Sequence, residues 1–494
     1  MVFDERNWLF VSSFASVPVT RHQRITLAML ALGLSLATWP ATTLAATPYT
    51  LHPFAKAGQV QRVRVILEVT GELIVHSDAK NGTKLPLKVQ GELLYDERAL
   101  LVDDQKQCRK SVRFYREARA DFQVAESNQR SCLADEHRLS VAEIAADSLV
   151  MFSPCGPLTR EELELLEVQG SSLVLPQLLP AKEVGIGDEW PHSNATAAAL
   201  LGLDAVSQSD LRSTLRSVEG STAILDLEGT VAGSVRGIAS DVHVRGKYNY
   251  DLNSRGISWL TVSVSEKRAA GHAEPGFDVT ARLRVAIAPS DPCPELQDES
   301  LEALSLEASP GATLLSFPSA AGKFQLLHSR PWRVMVDRPD VTILRMVDQG
   351  DLIAQCNASR LPDLASGQRV SMEAFQADIQ RALAESFGKF LESSETTTET
   401  GLRVLRVVAS GMASELPIQW TYYHVSNADG QQVAFVFTLD ARLLERFAEA
   451  DQTMVSSLAF SSSTAPPPAA SAATPAAGDS ASRPRDVRSE QPRR

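Results

Sequence analysis

The chain has 494 residues, of which 44% are hydrophobic and 22% are charged, and its formal net charge is −12. These values are ordinary for globular proteins, and they exclude a collagen-like, a wholly disordered or a multi-span membrane protein. The acidic balance argues against nucleic acid and anionic membrane surfaces as non-specific partners, because basic surface drives both kinds of binding. A chain of this length is expected to form two folded domains with accessory segments.

Residues 1–45 have the pattern of a secretory signal peptide with a long basic region. Arg21 and Arg24 precede an apolar run over residues 25–36, and the mostly small residues 41–46 follow it. A bilayer span needs roughly 20 apolar residues, so this short run favours a cleaved signal peptide over an uncleaved anchor helix. We therefore predict a secreted or periplasmic protein that does not span the membrane.

Residues 47–290 are predicted to form an antiparallel β-rich domain with long strands. Val63, Val65 and Leu67 recur at every second position, which places them on one face of a strand. Other strand patterns occur at residues 85–89, 111–115, 138–150, 210–218, 223–231, 238–250, 257–266 and 277–287. Strands of this length with tight turns predict a twisted sheet that curls or forms a half-barrel, accompanied by a few helices.

Two short helices and a distinctive loop interrupt the strands. Thr159 and Glu162 form a capping-box pattern that predicts a helix, and residues 195–201 predict a second one. In the loop between them, Asp188 and Trp190 are candidates for the rim of a ligand site. The alternative is a tight turn whose tryptophan closes the sheet onto a helix.

Residues 291–322 are predicted to be an acidic, proline-rich linker, because no lysine or arginine lies between Arg284 and Lys323. Beyond it, residues 323–460 predict a mixed α/β domain.

This second domain is predicted to contain three strands, a long helix, a three-stranded meander and a final helix. The long helix begins at Ser371, and its apolar face is given by one periodic set: Phe375, Ile379, Leu383, Phe387 and Phe390. Asp440 is predicted to cap the final helix. Trp420 and Tyr422, on a meander strand, could offer an aromatic face to a partner, although alternation of core and surface positions explains them equally well.

The serine-, alanine- and proline-rich tail, residues 461–494, cannot bury a core and is predicted to be disordered.

Five cysteines lie beyond the signal peptide at wide spacings, with no C-x-x-C pair. This arrangement does not support a zinc ribbon or a thioredoxin-like site. Cys108 and Cys132 flank a strand-like segment and are the best local candidates for a disulfide in an oxidising compartment. The alternative is that the cysteines are buried, reduced and inert. We predict no metal site and no cofactor.

The order of elements in the second domain resembles the PsbP-like fold, an α/β/α sandwich shared with Mog proteins. The residues that carry this resemblance are Trp332-Arg-Val, Leu344-Arg345, Gln355-Cys356, Trp420-Thr-Tyr-Tyr423 and Phe435-Val-Phe437. The resemblance implies an accessory or docking module, and it carries over no catalytic residue, since the family has no shared catalytic set. By strand pattern alone, the first domain is similar to the half-barrels of lipoprotein carriers.

The predicted fold class is therefore α+β, with a long-stranded antiparallel domain followed by an α/β/α sandwich. The sequence contains no phosphate-binding loop, zinc-protease motif, nucleophile elbow or EF-hand loop. We expect an exported accessory or binding protein that takes an unidentified partner protein or an apolar ligand. The alternatives are an extracellular hydrolase with a carboxylate site between the domains, and a structural envelope protein.

Overall fold

The computed structural model describes residues 48–75, 83–145, 148–365 and 367–461. The predicted signal peptide, and all of the predicted tail except Ser461, lie outside the described residues.

The first half of the chain forms a 13-stranded sheet in which every pairing is antiparallel. Its strands are β1 (Val60–Val75), β2 (Thr83–Val102), β3 (Cys108–Val124), β4 (Ser127–Cys132), β5 (Leu139–Ala145), β6 (Ser148–Phe152), β7 (Glu189–Pro191), β8 (Ala205–Ser209), β9 (Arg212–Glu219), β10 (Thr222–Val235), β11 (Ile238–Asp251), β12 (Gly256–Arg268) and β13 (Gly276–Pro289). The helices α1 (Arg160–Leu166) and α2 (Asn194–Leu201) lie between β6 and β8 in the chain.

The strand order is β6-β5-β3-β2-β1-β13-β12-β11-β10-β9-β7, with β4 beside β3 and β8 beside β10. The first and last strands of this half therefore pair in the middle of the sheet, where Val63 lies opposite Ile287. The long strands were predicted correctly, with one exception. The predicted strand at residues 138–150 is a hairpin of β5 and β6.

One face of this sheet, here called the core face, carries the main hydrophobic core. Val63, Tyr95, Tyr248 and Leu283 contribute to it, packed against α1, α2 and the segment around Leu175. Complete burial of a large apolar side chain stabilises the fold by about 1.5–3 kcal/mol. The buried tyrosine hydroxyl of Tyr248 is also satisfied, since it donates to the carbonyl oxygen of Leu178 at 3.1 Å.

The acidic linker packs against the other face of the sheet. It contains α3 (Asp298–Leu301), and Cys293, Leu296 and Leu301 form a small cluster with Val112 of β3. Arg98 donates to the carbonyl oxygen of Leu296 and to the carboxylate of Asp298, each at 2.6 Å. Basic residues of the sheet thus hold this acidic segment in place.

The second half contains a 3-stranded and a 7-stranded sheet. Its elements are β14 (Leu315–Ser319), β15 (Phe324–His328), β16 (Trp332–Asp337), β17 (Thr342–Asp348), β18 (Asp351–Leu361), α4 (Met372–Leu383), β19 (Phe387–Thr397), β20 (Arg403–Ala413), β21 (Leu416–Ser426), β22 (Gln432–Asp440), α5 (Leu444–Phe447), α6 (Ala450–Ser456) and β23 (Ala459–Phe460). The order in the larger sheet is β16-β17-β18-β22-β21-β20-β19. Helix α4 packs with Tyr422 of β21. Helix α6 belongs to a separate hydrophobic cluster that contains Tyr423, the next residue along β21.

The prediction of one long helix is wrong beyond Leu383, where the helix ends. Ala384 adopts a φ of 47°, which ends α4, and Phe387 and Phe390 belong to β19. A register shift between Phe387 and Lys389 in the pairing of β19 with β20 keeps these aromatic rings on the same side, with centroids 4.8 Å apart. The three-residue spacing that suggested a helical face therefore comes from a bulge in a strand. The final helix is also divided, into a 3₁₀ turn capped by Asp440 and the helices α5 and α6.

The structure contradicts the predicted disulfide between Cys108 and Cys132. Cys108 begins β3, whereas Cys132 lies on β4 opposite Arg119, eleven residues further along β3. At about 3.3 Å per residue this is roughly 36 Å, far beyond the 7 Å or so that a disulfide spans. Both thiols are free, and burial raises the pKa of Cys108 to about 12.

Candidate functional site

A large cleft lies between the 13-stranded sheet, its two short helices and the start of the second half of the chain. Its volume is about 1080 Å³. Its lining includes apolar strand residues, the exposed side of α1, part of α2 and residues near the start of β16.

One side of the cleft, here called the apolar wall, is a patch of the core face. It consists of Leu73 on β1, Leu87 and Val89 on β2, Phe122 and Val124 on β3, and Phe277 on β13. These residues are neighbours across adjacent strands, since Leu87 lies opposite Val124 and Val89 opposite Phe122. Phe122 is 36% exposed, which is unusual for a phenylalanine on the face that carries the core.

The apolar wall is open because the helices are too short to cover the strands. Strands β1 and β2 have 16 and 20 residues, which at about 3.3 Å per residue makes them roughly 50–65 Å long. Helices α1 and α2 have 7 and 8 residues, or about 10–12 Å. The core face is therefore a filled core at one end and an accessible apolar surface at the other.

Helix α1 presents charged residues to the cleft, and its start is fixed by Glu162. The predicted capping box is confirmed: Thr159 Oγ1 accepts from the backbone N–H of Glu162, and the Glu162 carboxylate accepts from the backbone N–H of Thr159 at 2.9 Å. The same carboxylate lies 2.8 Å from His137 Nδ1. This contact raises the pKa of His137. Burial raises the pKa of Glu162, but its hydrogen bonds outweigh burial and lower it.

We expect the His137–Glu162 pair to stabilise the protein most between about pH 4.5 and 6.5, the ordinary pKa values of the two groups. Because the pKa of folded His137 is raised, its contribution is present below pH 6.5 and is lost as the pH rises through the raised value. The variant H137Q should lose roughly 1–2 kcal/mol of unfolding free energy at pH 5.5 and less at pH 8.5. Urea denaturation at both pH values measures the difference. The control is H243Q, at an exposed position of β11. Equal losses of unfolding free energy for H137Q at both pH values would contradict the stabilising role of the His137–Glu162 pair.

Four arginines line the cleft, and three of them, Arg160, Arg236 and Arg333, are here called the arginine cluster. Arg160 begins α1, Arg236 lies in the turn between β10 and β11, and Arg333 lies on β16. Arg236 and Arg333 both form ion pairs with Glu274. The turn that carries Arg236 is fixed by its neighbour Gly237, where a Cβ would collide with the carbonyl group of Gln349 in the turn between β17 and β18.

Arg160 has no carboxylate partner within ion-pair distance among the described residues. It donates to the backbone carbonyl oxygens of Arg330 and Trp332 at 2.5 and 3.3 Å. Its Nε is buried and has no hydrogen-bond partner in the part of the chain that the structure describes. Burial and the neighbouring Arg333 lower the pKa of Arg160 to about 9, and burial and Arg333 lower that of Arg236 to about 10. Arg160 therefore lacks a direct ion-pair partner among the described residues, although the nearby Glu164 and Glu167 raise its pKa and so partly offset burial.

Carboxylates also line the cleft. Glu167 accepts from Arg330 at 3.0 Å, and burial raises its pKa. Asp204 accepts from the backbone N–H of Arg236. Glu164 forms no ion pair with any described residue. His328, also in the lining, is neutral at pH 7 because burial lowers its pKa to about 4.

The loop residues predicted as a ligand rim do not line the cleft. Trp190 is 8% exposed and belongs to the main core, where its Nε1–H donates to the carbonyl oxygen of Leu178 at 3.0 Å. Asp188 accepts from the backbone N–H of Gly185 at 2.8 Å and so closes a turn. These contacts fit the alternative interpretation, a tight turn whose tryptophan packs inward.

Trp420 and Tyr422 do not line the cleft either. Trp420 is buried on β21, and Tyr422 packs against the cluster around α4. The residues of the cleft were missed because no local pattern marks them. The apolar wall continues ordinary strand alternation, and the arginine cluster comes from three distant segments of the chain.

No group of three or more histidine, cysteine, aspartate or glutamate side chains is gathered as a metal site in the described ranges. Within those ranges, no helix combines the length and apolar character required to cross a bilayer.

No protein-family model matches the sequence, and no curated protein matches it. Among solved structures, the chain is similar to cyanobacterial PsbP from Synechocystis sp. PCC 6803, with 12% identity and a TM-score of 0.25, covering 31% of this chain and 98% of that one. It is also similar to lipovitellin, with 10% identity and a TM-score of 0.30, covering 54% of this chain and 28% of that one. These scores indicate a weak likeness and specify no function.

Proposed function

We propose that this protein is an exported binding protein whose cleft holds an apolar ligand. The observation that carries the proposal is the apolar wall, an accessible continuation of the core face that contains Phe122. Pockets for small ligands are usually about 300–1,000 Å³ and mostly apolar. A cleft of about 1080 Å³ is therefore large enough for a ligand with a long apolar chain.

The second half of the chain is proposed to be a PsbP-like α/β/α sandwich that serves as an accessory module. The packing of α4 on the Tyr422 side of β21 and of α6 on the Tyr423 side supports this arrangement, because adjacent strand residues point to opposite faces. This module also completes the cleft by supplying residues such as Trp332 and Arg333. A partner protein that docks on the second half remains compatible with ligand binding in the cleft.

The hydrolase alternative has weaker support. It requires two carboxylates that face each other across the cleft and are free to act on a substrate. Glu167 is hydrogen bonded to Arg330, and Glu274 is paired with Arg236 and Arg333. These contacts favour a role in holding the two halves of the chain together.

Replacing Phe122 by glutamate should weaken the binding of an apolar ligand at least tenfold, because it places a charge on the apolar wall. The probe is N-phenyl-1-naphthylamine, whose fluorescence rises in an apolar site, titrated into the chain without its predicted signal peptide. Phe122 is 36% exposed, so the fold should tolerate the substitution.

The matched control is L101E, since Leu101 is an apolar strand residue that is 54% exposed and lies outside the cleft. This variant should bind the probe like the unmodified protein. Equal affinity in F122E and L101E, or no binding of the probe by the unmodified protein, would contradict the proposal. Mass spectrometry of an organic extract of the purified protein would identify a ligand that co-purifies.

A further inference from the structure

We propose that the ligand of the cleft is an amphiphile with an anionic head group. Its apolar chain lies on the apolar wall, and its oxyanion is held by the arginine cluster. This inference rests on the proposed function and adds the chemistry of the head group.

The first argument is that the three arginines of the arginine cluster share a single ion-pair partner among the described residues. Glu274 is shared by Arg236 and Arg333, while Arg160 lacks an ion-pair partner among the described residues. The planar fork of arginine matches the oxygens of carboxylate and phosphate groups. A bound oxyanion would therefore give the guanidinium groups that line the cleft an additional charged partner.

The second argument is that the arginine cluster and the apolar wall line the same cleft. At Phe277 of the apolar wall, the guanidinium of Arg268, another residue of the cleft lining, lies 4.5 Å from the ring centroid and also pairs with Glu266. A soluble anion would use only the charged part of this cleft, and a pure hydrocarbon only the apolar part. An amphiphile uses both.

The cleft lining also contains carboxylates that would repel an anionic head group unless they are already paired: Glu161, Glu164, Glu167, Asp204 and Glu274. Glu167 and Asp204 already accept hydrogen bonds, from Arg330 and from the backbone of Arg236. Glu164 has no ion-pair partner among the described residues and lies one turn along α1 from Arg160. It should repel an anion, so its removal is expected to strengthen binding. The net charge of −12 does not oppose the proposal, because the interaction is local and enclosed.

The test is calorimetric titration of the mature chain with dodecyl phosphate, dodecanol and inorganic phosphate. Dodecyl phosphate should bind most tightly. In R160Q its affinity should fall at least tenfold, equivalent to about 1.4 kcal/mol, whereas dodecanol should change less than twofold. In E164Q the affinity for dodecyl phosphate should rise. R381Q, at an exposed position of α4, is the control and should leave every affinity unchanged.

The outcomes separate this inference from the proposed function. If R160Q binds dodecyl phosphate normally while F122E still weakens dodecanol, the head-group site is wrong and the apolar site stands. If inorganic phosphate binds as tightly as dodecyl phosphate, the ligand is a soluble anion and the inference is overturned. If no amphiphile binds to the unmodified chain, both proposals fail. Should R160Q unfold, R236Q is measured in its place with the same expected result.

Discussion

Replacing Glu97 by alanine should lower the free energy of unfolding by about 3–5 kcal/mol. Glu97 lies on β2 and pairs with Arg113 of β3, at 2.8 Å between Oε1 and Nε. The side chains are only 3% and 2% exposed. The variant would leave the Arg113 charge buried without its partner, which is the reason for the large expected loss.

Both members of this ion pair also form hydrogen bonds with neighbouring side chains. The Glu97 carboxylate also accepts hydrogen bonds from three neighbouring side chains: Gln61, Ser111 and Ser172. Burial raises the pKa of Glu97, but Arg113 and these hydrogen bonds outweigh it and leave the pKa below its ordinary value. Arg113 in turn donates to Ser171, a residue of the cleft lining, at 2.9 Å.

Urea denaturation at pH 7 measures the effect, with E92A as the matched control. Glu92 also lies on β2 and pairs with two arginines, but these arginines are about half exposed. Its loss should cost at most about 1 kcal/mol, as is usual for surface pairs. The double variant E97L/R113M should be less destabilised than E97A, because it leaves no unpaired buried charge. Similar losses in E97A and E92A would show that the buried pair matters no more for stability than an exposed one.

The second large effect is acid destabilisation by two histidines, the half-buried His192 and the buried His328. Burial lowers the pKa of each from 6.5 to about 4. In the unfolded chain each histidine takes up a proton near pH 6.5, whereas in the folded chain it stays neutral until about pH 4. Falling pH therefore favours the unfolded state, and the loss develops between pH 6.5 and 4. Each histidine should contribute a loss of about 2–3 kcal/mol at pH 4.

The variants H192Q and H328Q should each flatten the stability profile in this pH range, measured by urea denaturation from pH 4 to 8. Glutamine is the substitution of choice because both histidines make a hydrogen bond. His192 Nε2 lies 2.8 Å from Ser213 Oγ, and His328 Nδ1 lies 2.9 Å from the carbonyl oxygen of Ser329. The exposed variant H243Q should keep the unmodified profile. A profile that keeps its acid slope in both H192Q and H328Q would refute the assignment.

Local features of the sequence were sufficient to predict most strands and the first helix. The strand predicted at residues 238–250 is β11, Ile238–Asp251, because period-2 alternation is a property of consecutive residues. The capping box at Thr159 was predictable for the same reason, since both partners lie within four residues. Phe387 and Phe390 were misassigned because a bulge in a strand can imitate helical spacing over a few residues.

Which strands pair, and therefore where the cleft lies, was decided only by the tertiary structure. The pairing of β1 with β13 joins residues more than 200 positions apart, and no local pattern records it. The same is true of Arg160, Arg236 and Arg333, which meet only because a helix, a hairpin turn and a strand converge between the two halves. Alternation along a strand decides which face a side chain occupies. Whether that face is covered depends on how far the packed helices extend, and α1 and α2 end before they reach the apolar wall.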